Sequence, residues 1–271
     1  MINFVFALVF IGIVIASIQD LKRREVDNYV NFFILVSSVA FLLFLSIFEK
    51  NLDILWFGGL SLVVMIILAN VFYYGRVFAG GDAKLMIAIF GIFVGIGLKE
   101  TFVNIFSFIF LLLIAGAVYG VGWGVYLYFK NYNVCWGVSR KRLGELKFYG
   151  FLIVGVILMI LGIIDIIFVF LGVFIILIPL LFAFAKAIES CSMIRRVRAS
   201  ALREGDWLVS KIKIRGKTIK PNWEGLTKDD LVSLKKINKI VEIKEGIPFV
   251  PVFLIAFIGY IFRSYLIGFM G

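Results

Sequence analysis

Long apolar runs separated by short polar segments make up most of this sequence. The runs lie at about 1–18, 29–48, 54–74, 83–97, 102–129, 148–164, 166–185 and 248–269. A helix needs about 20 apolar residues to cross a hydrocarbon core of about 30 Å, and most of the runs approach that length. The pattern therefore predicts an all-α polytopic membrane protein with about eight transmembrane helices, including a hairpin that turns at Asp165.

Composition agrees with this interpretation. The chain is 62% hydrophobic with a mean hydropathy of +1.07, whereas soluble domains are about 45–50% apolar. No charged segment precedes the first run and no small-residue cleavage site follows it. Residues 1–18 are therefore interpreted as a mature membrane helix and not as a removed signal peptide.

The segment 186–246 differs from the rest because it is polar and basic. The start of the segment predicts a helix that leaves the membrane. Alternating apolar and polar residues on either side of Arg215 and Gly216 predict a β-hairpin. Thr227 is a candidate N-cap of a short helix that follows. About 60 residues form a small core at best, so this α+β insert is expected to lean on the membrane helices. The predicted domains are a transmembrane helical core (1–185), a basic cytoplasmic insert (186–246) and a C-terminal transmembrane helix (247–271).

The basic residues predict the orientation. All but three of the 28 Lys and Arg residues lie in segments that one alternating topology places on the same side; the exceptions are Lys50, Lys99 and Arg263. Positive residues favour the cytoplasmic side, which predicts a multi-pass protein of the cell membrane with its N-terminus outside. The net charge of +11 then fits attraction to a lipid bilayer. Nucleic acid is not expected as a partner because no recognition module is present.

Few residues are available for metal or nucleophilic chemistry. The chain has no histidine, and its two cysteines, Cys135 and Cys191, lack CxxC spacing. No metal site or cofactor is predicted, and the cysteines give no basis for a disulfide framework.

Two aspartates stand out among the acidic residues. Asp20 ends the first apolar run and Asp82 precedes the fourth, so the predicted topology places both at the cytoplasmic edge of the membrane. Ionisable groups at such depths are functional candidates by default. In a simpler interpretation, Asp82 caps a helix and pairs with Lys84, while Asp20 pairs with Arg23 or Arg24.

Two carboxyl groups that share a site do not both ionise readily, so the pair holds one proton. One group then acts as a base towards water while the other donates a proton to a peptide carbonyl. Gly80 and Gly81, directly before Asp82, are expected to allow close approach of a substrate strand and backbone conformations that other residues avoid.

These residues resemble those of a known family. The stretch AGGDAK at 79–84 is similar to the GxGD signature of membrane aspartyl proteases, with Ala79 in place of the first glycine. The stretch DLKRREV at 20–26 resembles the segment around the first catalytic aspartate of type IV prepilin peptidases and archaeal preflagellin peptidases. The resemblance covers about residues 1–128, and EGIPFVPVFLIAF at 245–257 is similar to the C-terminal region of archaeal members.

The resemblance implies an aspartyl endopeptidase that removes the short basic leader of archaeal flagellin-like or type IV pilin-like precursors. Asp20 and Asp82 match the catalytic pair, Gly81 matches the glycine before the second aspartate, and Gly80 matches the variable position. Lys84 matches a lysine that often follows. Glu25 is a separate candidate for attracting the basic leader.

Two other functions compete with the peptidase. A proton-coupled transporter would use Asp20 and Asp82 as a relay, but transporter acids are expected near the midplane, often in broken helices of inverted repeats. No clear internal repeat is present. A catalytically inactive scaffold for pilus assembly is less favoured because both aspartates are retained.

Overall fold

The computed structural model describes residues 2–214, 217–222, 225–235 and 240–270. Ten α-helices lie within these ranges: α1 Ile2–Arg23, α2 Asn28–Glu49, α3 Asp53–Tyr74, α4 Gly80–Ala88, α5 Leu98–Lys130, α6 Tyr132–Leu143, α7 Leu146–Leu161, α8 Ile166–Ser192, α9 Lys228–Lys235 and α10 Val250–Met270. The strands are β1 Ile194–Arg198, β2 Trp207–Leu208, β3 Ile212–Ile214, β4 Lys217–Ile219 and β5 Ile240–Lys244.

The chain is a polytopic helical membrane protein, with fewer long spans than predicted. In the described part of the chain, five helices are long and apolar enough to cross a membrane: α1, α2, α3, α5 and α8. The pair α6 and α7, bent by 68°, adds a sixth if it forms one span. The predicted total of about eight also counted the first half of the 148–185 hairpin (α7), the run that contains α4, and α10.

Two compact units organise these elements. One contains residues 1–120 and 247–271, and the other contains residues 121–246. The boundaries differ from the predicted ranges because α10 packs with the N-terminal helices, as shown by the Phe6 and Phe257 rings at 5.8 Å between centroids. Helices α6, α7 and α8 belong to the second unit, together with the segment that follows them.

The run at 83–97 does not form a transmembrane helix. Helix α4 has nine residues, about 14 Å at 1.5 Å per residue, and a 3₁₀ segment at Ile89–Phe93 continues it. Two buried serines hold this bend: Ser38 donates to the Ala88 carbonyl at 3.3 Å and Ser61 donates to the Phe90 carbonyl at 2.9 Å. Gly91 lies directly against Ser38, where a Cβ atom would be 2.7 Å from the serine Cβ.

The segment 130–147 contains a helix that the hydropathy pattern missed. Helix α6 is too polar to stand out as an apolar run, and it packs on α8. Cys135 of α6 and Cys191 of α8 are joined as a disulfide, with their Cα atoms 5.5 Å apart. The statement that the cysteines give no basis for a disulfide is therefore wrong, because helix packing brings together residues that are 56 positions apart.

Two predicted helix starts are confirmed. Asp165 is the N-cap of α8, and its carboxylate accepts the Ile167 N–H at 2.9 Å. Thr227 precedes α9, and its hydroxyl accepts the Asp230 N–H at 3.3 Å. Both contacts satisfy N–H groups that the first turn of a helix leaves unpaired.

The segment 186–246 has its own small core. Antiparallel strands in the order β1–β5–β2 form one sheet, and β3 pairs with β4 as the predicted hairpin, whose turn at Arg215 and Gly216 lies outside the described residues. The helix predicted at its start ends at Ser192, and the next residues form β1. Eight buried side chains form the core: Ala199, Leu202, Leu208, Ile219, Leu226, Leu234, Val241 and Ile243.

Removing the Ser61 hydroxyl should lower the stability of the protein. Ser61→Ala leaves the buried Phe90 carbonyl without this partner, so the free energy of unfolding should fall by about 1–3 kcal/mol. Ser190→Ala is a matched control because its hydroxyl also donates to a backbone carbonyl, but on an exposed surface, and its effect should stay within about 0.5 kcal/mol. Unfolding of the purified variants in detergent measures both; equal losses would contradict the role of Ser61.

Candidate active site

Asp20 lies in the last turns of α1 and is buried, with 7% of its surface exposed. The helix ends just beyond it, because Arg24 adopts a left-handed conformation with φ of 59° and donates its N–H to the Asp20 carbonyl at 2.8 Å. The Asp20 side chain accepts the backbone N–H of Val250, at the start of α10, at 3.0 Å. The carboxylate is therefore held by the backbone of the C-terminal helix, and the bond helps to offset the cost of burying it.

Asp82 lies in the first turn of α4 and is 8% exposed. Its carboxylate accepts the N–H of Ala79, the N-cap residue, at 3.1 Å. Burial raises the pKa of the Asp82 carboxyl to about 7; the Ala79 hydrogen bond opposes this shift and the charge of Asp20 adds to it. The raised pKa favours the protonated form of this carboxyl group well above the pH at which an exposed aspartate ionises.

The two aspartates lie in the same compact unit and interact electrostatically. Their elements are far apart in sequence, and both carboxylates are bound by backbone N–H groups. The simpler interpretation from the sequence is correct in one part, because Asp82 does cap α4. It is wrong that Asp82 pairs with Lys84, since Lys84 donates instead to the Asn28 side chain of α2 at 3.0 Å.

Gly80 and Gly81 form the first turn of α4 with ordinary helical backbone. Among the described glycines only Gly205 and Gly225 have positive φ, so the expectation of an unusual backbone conformation before Asp82 is wrong. A Cβ atom on Gly81 would meet no atom within 4 Å, and one on Gly80 would meet only the Tyr73 ring at 3.8 Å. The missing side chain at Gly81 therefore leaves open space next to a buried carboxyl group.

The loop between α1 and α2 carries Glu25, which is exposed. Its neighbour Asp27 forms an ion pair with Arg23 at 2.6 Å. Of the two partners that the sequence suggested for Asp20, Arg23 therefore pairs elsewhere, whereas Arg24 interacts with Asp20 electrostatically. Exposed ion pairs of this kind contribute little to stability. The loop therefore presents charged groups to solvent close in sequence to Asp20.

Gln19 is a structural part of this region that the sequence interpretation missed. Its side chain donates to the Tyr29 hydroxyl at 2.9 Å and accepts the Asp27 N–H at 3.0 Å, which fixes the loop after Asp20. Tyr119 of α5 was also missed, although it lies within electrostatic range of Asp20. The adjacent polar pair Gln19–Asp20 at the end of an apolar run was a usable signal for Gln19, whereas Tyr119 gave none.

No group of three or more Asp, Glu or Cys side chains lies close enough together to hold a metal ion within the described ranges. Among these residues the buried acidic side chains are Asp20 and Asp82.

Comparison with known proteins connects this site to a family. Residues 7–121 match the model of the Type IV leader peptidase family. A protein named preflagellin peptidase from Methanococcus maripaludis is 32% identical over 79 residues, which are 29% of this chain and 34% of the relative. The chain thus spans about a third of the length of this curated relative. No solved structure matches the chain.

The matched range contains all of α4 and all of α1 except its first residues. It therefore contains both buried aspartates. It ends within α5 and leaves out α10, although α10 binds Asp20. The family resemblance predicted from the two aspartate motifs is confirmed: residues 7–121 of this membrane protein are similar to the Type IV leader peptidase family.

Proposed function

We propose that this protein is a membrane aspartyl endopeptidase that removes the short basic leader from flagellin-like or type IV pilin-like precursors. The observation that carries the proposal is the pair of buried carboxyl groups, Asp20 and Asp82, in the range that matches the peptidase family. Buried acids in a membrane protein cost free energy unless they serve a function or are fully compensated. The name of the Methanococcus maripaludis relative supports the same activity.

The two environments suggest different roles. Asp20 accepts an N–H at the start of a helix, which stabilises its carboxylate form and suits it to act as the base. Asp82 has a pKa raised to about 7 by burial and suits the role of acid. Asp20 takes a proton from water, the water oxygen attacks the scissile carbonyl carbon, and Asp82 donates its proton to the carbonyl oxygen. The tetrahedral intermediate then breaks at the C–N bond: the amine leaves with a proton returned from Asp20, and the hydroxyl that becomes the new carbonyl returns its proton to Asp82.

The other predicted residues support this reaction. Gly81 leaves space for an extended peptide beside Asp82, and Gly80 lies in the same turn. Lys84 ties α4 to α2 through Asn28. Exposed Glu25 is available to attract a basic leader.

We also propose the orientation inferred from the basic residues, with the N-terminus outside and the site at the cytoplasmic edge of the cell membrane. The hydrophobic helix of a precursor would lie in the bilayer beside the enzyme and present its leader junction at this edge. The comparisons give no support to the transporter alternative.

Each aspartate should be essential for cleavage. Asp20→Asn and Asp82→Asn keep the side-chain size but remove the shared proton, so cleavage of a tagged precursor should fall by at least about a thousandfold, within the range lost with catalytic groups. Co-expression with a precursor that has a basic leader, scored by gel shift, measures this. Asp53→Asn, at an exposed acid in the first turn of α3, should cleave like wild type. Normal cleavage by either active-site variant would exclude the proposed pair.

The rate should fall as the pH rises through about 7. Burial raises the pKa of Asp82 from its ordinary value of 3.8 to about 7, so the carboxyl group carries the donated proton below that pH and loses it above. Initial rates measured in detergent between about pH 5 and pH 9 give the profile. A rate that stays constant or rises over the upper half of this interval would exclude Asp82 as the acid.

A large side chain at position 81 should block binding of the substrate beside Asp82. Gly81→Leu places a side chain into the open region beside Asp82, so KM should rise or cleavage should be lost while the protein remains folded. Gly59→Leu in α3 is the matched control, because its Cβ position is also free of neighbours within 4 Å, and its activity should be unchanged. Similar kinetics for both leucine variants would show that substrate does not approach Gly81.

A further inference from the structure

The backbone of α10 binds the carboxylate of Asp20 directly. Val250 is the first residue of α10, and its N–H has no partner in the ladder of its own helix because the first N–H groups of any helix lack one. The Asp20 carboxylate supplies that partner at 3.0 Å, in a buried position. The positive end of the helix dipole favours a negative group at the same place.

The same turn of α10 also contacts the segment that carries Asp82. The Phe78 ring lies 5.4 Å from the Phe249 ring and 5.8 Å from the Phe253 ring, between centroids. Phe78 directly precedes Ala79, whose N–H binds Asp82 at 3.1 Å. The start of α10 therefore contacts Asp20 through a hydrogen bond and, through aromatic packing, the segment that precedes Asp82.

Contacts further along α10 hold the turn in place. Phe257 packs on Phe6 and Phe10 of α1, with ring centroids 5.8 Å and 6.3 Å apart. Tyr260 donates its hydroxyl to the Ile92 carbonyl in the 3₁₀ segment after α4, at 3.5 Å. Helix α10 thus contacts α1, which carries Asp20, and the 3₁₀ segment that follows α4, and both contacts lie within this compact unit.

We propose that Phe249 and the first turn of α10, together residues 249–253, are a positioning element of the active site that holds Asp20 and Asp82 in register. The inference rests on the proposed peptidase function and adds a third segment, outside the range that matches the family, to the two that carry the aspartates. Two buried carboxyl groups repel when ionised, and rigid backbone donors resist that repulsion without losing side-chain entropy. Because the donor is a backbone N–H, substitutions that change only the Val250 side chain leave it intact.

A proline at position 250 tests the hydrogen bond. Val250→Pro removes the N–H that binds Asp20, and proline is well tolerated at the first position of a helix. Val250→Ala is the matched variant because it trims the buried side chain and keeps the N–H. The kcat of V250P should be about tenfold to a hundredfold below that of V250A, the range expected when a catalytic group is misplaced. KM should be similar in the two variants, since the precursor does not contact the bond.

A second measurement tests the contact without any substrate. The thermal unfolding midpoint of V250P is compared with that of the parent chain, first with Asp20 present and then in an Asp20→Ala background. If Asp20 binds the Val250 N–H, the proline should lower the midpoint by about 3–8 °C more when Asp20 is present. Any effect of proline on the helix itself appears in both backgrounds and cancels.

The outcomes separate the inference from the function it rests on. Equal kcat for V250P and V250A, or equal midpoint shifts in the two backgrounds, would overturn the positioning role. If the wild-type protein cleaves no precursor, the proposed function fails, and the unfolding comparison alone then decides whether α10 holds Asp20.

A substitution in the aromatic contact between Phe249 and Phe78 tests the same role if V250P does not fold. Phe249→Leu keeps the Val250 N–H and an apolar side chain but removes the ring that packs on Phe78. Its kcat should fall by about tenfold at similar KM, whereas Phe110→Leu, at an exposed position of α5, should not change kcat. Matching kcat values for these two variants would contradict the role of the turn.

Discussion

The burial of two carboxyl groups in one apolar helical unit is the constraint on which the rest of this structure depends. An ionised carboxylate away from water costs several kcal/mol unless hydrogen bonds or a proton compensate for it. Asp20 is compensated by the first N–H of α10, and Asp82 by the N–H of Ala79 together with a raised pKa. Each compensation requires backbone at a fixed place, so the two acids determine where two helices begin.

Helix α4, which carries Asp82, is short: it ends after nine residues and continues as a 3₁₀ segment. The hydroxyls of Ser38 and Ser61 bind the carbonyl groups of this bend, since unpaired backbone groups are costly inside a membrane protein. The bend and the two serines together hold Asp82 in the same buried unit as Asp20.

Chemically, the arrangement makes two identical side chains unequal. Asp20 lies at the positive end of a helix that runs away from it, while Asp82 forms part of the cap of its own helix and is more affected by burial. Differences of this kind allow one carboxyl group to act as a base and the other as an acid at the same pH. The proposed reaction uses neither a metal nor a nucleophilic side chain. The contacts of α10 would hold the two carboxyl groups in place.

The sequence by itself determined the membrane class, the two important aspartates, the family resemblance and the helix caps at Asp165 and Thr227. Each of these depends on local composition or on residues within a few positions, which hydropathy and short motifs record directly. The tertiary structure decided the rest: the bend after α4, the disulfide between α6 and α8, the pairing of Lys84 with Asn28, and the contact of Val250 with Asp20. These features join residues that are far apart in sequence, and the Val250 donor is a backbone group that no residue type reveals. Only the packing of α10 against α1 brings it to the carboxylate.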